Sequence, residues 1–185
     1  MNQQDFIRKI SDEFSMAAAE TKALASIEEK KILTEQPRRD SWSAAQCYEH
    51  LNQMMRLYHG KMEPLIERKA QSSPVGSQVS ARHSVLGSLF LVGLKPGSKL
   101  KVPSPGEFLP EKNEASSIDD FLELQKKTQS LLEQASTVRM KKDKFPTPVT
   151  RLIRFNLVDG FQLIAWHNMR HIEQAKRAIK AASNG

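Results

Sequence analysis

Two histidines, His167 and His171, stand four residues apart toward the C-terminal end of this 185-residue chain, and a third, His50, lies far upstream. Side chains at i and i+4 of a helix share a face, so both rings can reach a single ion. His50 falls in a separate apolar-periodic segment, on the face that reads as buried. Three neutral imidazoles hold a divalent cation and leave positions open for water or substrate, as a catalytic site requires and a closed structural site does not. An i, i+4 pair suits zinc, nickel, iron or copper alike. Nickel or zinc is the first expectation, iron or manganese the next.

Helical-wheel placement sharpens the reading. At about 100° per residue, Gly160, Leu163, Ile164, His171, Gln174 and Ala178 fall within about 60° of His167, while Trp166, Arg170 and Glu173 point elsewhere. Gly160 is read as leaving room on that face. His50 shares its face with Ser43, Cys47, Met54, Leu57 and Lys61. A lone inward histidine is usually satisfied by one hydrogen bond, and that reading is kept for His59 and His83. Three together are different, because apolar neighbours offer no partners and an unmade buried hydrogen bond costs about 1–3 kcal/mol. One shared cation satisfies three lone pairs at once. Gln174 is a candidate to accept the outer proton of a ligating ring, against the alternative of a solvent-facing glutamine. Cys47 is either a soft fourth ligand or reactive thiol, or the commoner small core residue. Glu49 points away from the His50 face.

Four long helical segments must position these rings, and no strand is expected. The first runs from about Asp5 to Thr34, with Phe6, Ile10, Phe14, Ala17, Ala18, Leu24 and Ile27 at helical spacing. The second opens on a capping box, Ser43 with Gln46, and Trp42 is placed to staple onto Cys47. It runs to about Ala70, with Pro64 as a kink or an end. Between Gln71 and Ser116 five prolines and five glycines make a long irregular crossover, with a short helix near Ser84–Leu94. The third helix opens at Ser117 with a serine cap and turns Phe121, Leu124, Thr128, Leu131, Leu132 and Ala135 inward. The fourth starts at Asn156, capped with Asp159, and runs to about Ala182; Val149–Phe155 leads in. The expected fold is all-α, a four-helix bundle in one domain spanning 1–185 with a long crossover between its second and third helices.

Composition excludes other classes. The chain is 39% hydrophobic and 26% charged, ordinary for a globular protein. No apolar run approaches the roughly 18 residues of a membrane span. Met1–Asp5 lacks the plan of a secretory leader and a single cysteine rules out a disulfide framework, so the cytoplasm is the expected compartment. The net charge of +7 raises nucleic acid as a partner. The basic residues are dispersed and not interleaved with aromatics, so a solvated face is expected instead.

The stretch Trp42-Ser43 through Gln46 to His50-Leu51, with His167-Asn168-Met169-Arg170-His171-Ile172-Glu173-Gln174, resembles the DinB superfamily, which includes bacillithiol transferases and mycothiol-dependent isomerases. The resemblance implies an up-down-down-up four-helix bundle and a divalent metal on His50, His167 and His171. It also implies a metal-dependent enzyme, a thiol S-transferase or a hydrolase, acting on a small-molecule substrate such as a low-molecular-weight thiol. The competing expectation is a non-catalytic bundle that dimerises or docks a partner, its metal structural or absent.

Overall fold

The computed structural model describes residues 1–27, 29–70, 79–95 and 108–184 of the chain. The crossover prolines Pro74, Pro96, Pro103 and Pro105 and the side chain of Ile27 lie outside the described set. Among the described residues there are six helices and one short ribbon. They run α1 (Gln3–Ile27), α2 (Lys30–Thr34), α3 (Ala44–Ala70), α4 (Val85–Leu94), α5 (Ser117–Ala135), β1 (Lys144–Pro146), β2 (Arg154–Asn156) and α6 (Leu157–Ala182).

The apolar stripes explain how the long helices meet. Phe6, Ile10, Phe14 and Ala17 form the buried face of α1, and Phe121, Leu131, Leu132 and Ala135 that of α5. α3 packs against α5 and α6, and α1 packs against the same two helices, so four apolar faces close on one core. Tyr48, Tyr58, Phe14, Phe121, Phe155 and Phe161 are its largest fully buried side chains.

Two helix starts are set by the capping expected of them. Gln46 donates its backbone N–H to Ser43 Oγ at 3.1 Å, and Ser43 donates its own to Gln46 Oε1 at 3.0 Å. Asn156 and Asp159 make the same reciprocal pair at the start of α6. α4 begins where its serine sits, with Ser84 Oγ accepting from the Gly87 amide at 3.0 Å. The Asp159 carboxylate also accepts from the Ser84 amide at 3.1 Å and from His83 Nδ1 at 3.0 Å. One buried acid therefore ties the start of α4 to the start of α6.

Several expectations are corrected. The first helix is not continuous to Thr34: Glu29 is extended (φ −68°, ψ 143°), and the short α2 turns Leu33 into the core against α3 and α6. Burial of that leucine outweighs the local preference for an unbroken helix. Pro64 neither ends nor breaks α3, which continues to Ala70. The serine cap of α5 is not made: Ser116 is the N-cap but its side chain makes no capping bond, while Ser117 is buried and bonds Glu49. Strands are present after all, as Phe145 pairs with Phe155 in an antiparallel ribbon. Three-residue strands containing proline leave no alternation to read.

Candidate metal centre

α3 brings His50 and α6 brings His167 and His171 to one point. Ring centroids are 5.0 Å apart for His50–His167, 4.6 Å for His50–His171 and 4.5 Å for His167–His171. One nitrogen from each ring lies within 4.8 Å of the others. His50 and His171 are buried and His167 is half-buried.

His50 is locked in a metal-competent tautomer. Its Nδ1–H donates to the Phe108 carbonyl at 2.6 Å, because a carbonyl can only accept. The lone pair of Nε2 then faces inward, 2.9 Å from Nε2 of His167. Such a carbonyl anchor is the usual companion of a ligating imidazole. Trp42 covers the cluster, its ring 5.0 Å from that of His50 and stacked 5.9 Å from that of His171.

Burial keeps all three rings neutral. It holds His50 below the ordinary imidazole value despite its carbonyl partner. It presses His167 well below that value, helped by His171, His50 and Arg170. It takes His171 down to about 3, with His50 and Arg170 adding to the effect. Neutral rings are the ligating form.

The residues fit a divalent ion. Two nitrogens on one zinc at about 2.0–2.1 Å each stand no more than about 4.2 Å apart. The observed 2.9 Å pair and the 4.8 Å limit of the set bracket that span. Protein hydrogen bonds do not satisfy the cluster, since Nδ1 of His167 and Nδ1 of His171 are buried without partners. An ion held on Nε2 of His50 and His167 would relieve the close approach of those two nitrogens and leave Nδ1 of His167 without a protein partner.

The remaining predicted residues separate. Gln174 lines the same cavity and favours the protonated His171 ring through a side-chain hydrogen bond, yet it does not reach Nδ1. Cys47 is not brought to the cluster: it is fully buried in the core, and burial pushes its thiol up to about 12. Gly160 supplies no room at the site, because a Cβ there would meet Met62 Sδ and Phe145 Cζ at 2.9 Å. Leu57 is exposed and does not share the buried face of His50. His59 makes the single hydrogen bond expected of it, to Thr128 Oγ1 at 2.8 Å in the core, and its Nδ1 is buried without a partner.

Arg170 was misread. It lines the cavity and donates Nη1 to the Gly93 carbonyl at 3.1 Å, joining α6 to α4. A wheel gives only the Cβ direction, and a long side chain reaches around it. Phe108 gave no signal, lying in the irregular crossover.

The three rings open onto a cavity of about 1000 Å³ instead of a sealed core. A helical protein with three converging neutral histidines beside a large cavity is a candidate mononuclear metal protein. The family model of the DinB superfamily matches residues 13–175, and the chain belongs to that superfamily. No curated protein and no solved structure matches the chain. Among the described residues, no helix is long and apolar enough to cross a membrane.

Proposed function

We propose that this chain is a divalent-metal enzyme that activates a small thiol for transfer to an electrophile. Zinc or nickel on His50, His167 and His171 would serve it. The observation that carries this reading is the opening of three neutral imidazoles onto a substrate-sized cavity, where a structural site would be closed. Bound there, a divalent ion lowers the pKa of a thiol or water and so supplies the nucleophile. The chain's own residues hold the geometry. Phe108 fixes the His50 tautomer, Trp42 shields the rings from water on one side, and Arg170 secures the α4 wall. Among the described residues no carboxylate joins the ring cluster as a general base, which favours thiol activation over a hydrolase scheme. The same reading includes a single up-down-down-up four-helix bundle and a cytoplasmic location.

Elemental analysis of the purified protein should find about one divalent ion per chain, lost in His171→Ala. Metal-loaded protein should accelerate consumption of a small thiol by a model electrophile, and His167→Ala should not. Stoichiometric metal with no such acceleration against any thiol of a broad panel refutes the transferase reading.

A second reading is favoured by one feature, the exposed face of α4. Val85, Leu86, Leu89 and Val92 are open to solvent beside Leu152. That face suits a homodimer contact in a non-catalytic bundle. A dimer that persists by light scattering in the triple-histidine variant, with no turnover lost on metal removal, supports it.

A further inference from the structure

The cavity carries more chemistry than the three rings. Much of its wall is apolar, with Met54, Phe90, Leu94 and Leu163 facing it alongside Trp42 and Phe108. Arg38, from the segment after α2, and Arg170 and Arg177, two turns apart on α6, also face it. Among the described lining residues Asp40 is the only acid. The cavity thus holds three fixed positive charges against one negative, before any ion binds. The ligand set adds no carboxylate to offset a divalent cation.

Among the described residues neither Arg38 nor Arg177 has an ion pair, although Lys176 beside Arg177 takes both Glu20 and Glu173. Those two acids lie outside the cavity lining, Asp40 within it makes no ion pair among the described residues, and the guanidinium forks are left for a ligand. A guanidinium fork matches a carboxylate or phosphate in two parallel hydrogen bonds. Behind it Phe90, Leu94 and Leu163 present an apolar wall, with the unpartnered Tyr58 hydroxyl and Gln174 as polar points in the lining.

We propose that the cavity receives an amphiphilic anion, its acidic head group on Arg38 and Arg177 and its apolar body against the Phe90–Leu94 wall. The inference rests on reading this cavity as a substrate site, but not on the metal. Arg170 is excluded from the head-group assignment because it holds Gly93.

The test is calorimetric titration with octanoate, octyl phosphate, octanol and octylamine. It is run on protein as purified and after chelation, with metal content measured on the same samples. At least one of the two anions should bind about tenfold or more tighter than octanol, with octylamine weakest. Preference between octanoate and octyl phosphate tells a carboxylate substrate from a phosphate one. Arg38→Gln/Arg177→Gln should cost the anion about tenfold or more and leave octanol unchanged, while Arg38→Lys/Arg177→Lys recovers part of the loss. Both side chains are exposed, and thermal unfolding of each variant checks that it folds. Equal binding of octanol and the anions, anion binding that survives the double glutamine variant, or no binding at all overturns the proposal. Arginine-dependent anion binding supports the proposal with or without metal, and the metal reading is judged separately by the metal content of the protein as purified.

Discussion

Replacing His171 by alanine should abolish metal-dependent stabilisation while sparing the fold. The ring is only 7% exposed and its Nδ1 has no hydrogen-bond partner, so its loss removes packing and a single polar contact, that with Gln174. With metal at a hundredfold excess over its dissociation constant, a site that binds only the native state adds about 2.7 kcal/mol. For a chain of this length each kcal/mol moves the midpoint by about 2–4 °C, so the wild type should gain roughly 5–11 °C. His171→Ala keeps two ligands of three and should gain less than about 2 °C under the same conditions. His59→Gln is the control, because that buried ring bonds Thr128 and lies outside the cluster; it should keep the full metal shift. The assay is thermal unfolding followed by circular dichroism with and without added zinc or nickel. The pH dependence gives a second check. A solvent-exposed imidazole begins to exchange metal for protons near 6.5, but burial puts His171 at about 3 and lowers the other two rings as well. The shift should therefore survive from about pH 8 to about pH 5. An undiminished shift in His171→Ala, or a steep loss near pH 6.5, refutes the reasoning.

The remaining predictions concern the scaffold. His59 titrates at about 4 in the native state, chiefly because burial and then Lys127 disfavour its charge. The unfolded ring takes its proton near 6.5, so stability falls as pH drops through that window, by at most about 3 kcal/mol. His59→Gln should flatten the urea-derived stability profile between those values, and an unchanged slope rejects the assignment. Ser43→Ala deletes the acceptor for the Gln46 amide and the 2.6 Å bond to Asn113, and should cost about 1–2 kcal/mol in urea unfolding. Two glycines should respond oppositely. Gly60 lies within α3 with nothing near its missing Cβ, so Gly60→Ala should stabilise by roughly 0.5–1 kcal/mol. A Cβ on Gly87 would strike the Asp159 carboxylate, so Gly87→Ala should destabilise by about 1–3 kcal/mol or more. Equal effects would mean that α4 is not seated against the start of α6.

What the sequence determined on its own was local. The four-residue spacing of His167 and His171, the reciprocal caps at Ser43 and Asn156 and the start of α4 at Ser84 are written in contacts three or four residues apart. The inward stripe of α1 is of the same kind. The tertiary structure decided whatever depends on which faces meet. It brought Nε2 of His50 to His167 across 117 residues and anchored its Nδ1 on a carbonyl 58 residues away. It laid Trp42 over the rings, put Cys47 in the core and swung Arg170 back to the cavity. Helical periodicity fixes the direction of a Cβ. It does not fix the reach of a long side chain or the partner helix on which that side chain lands, because both are set by how separate apolar faces pack into one core.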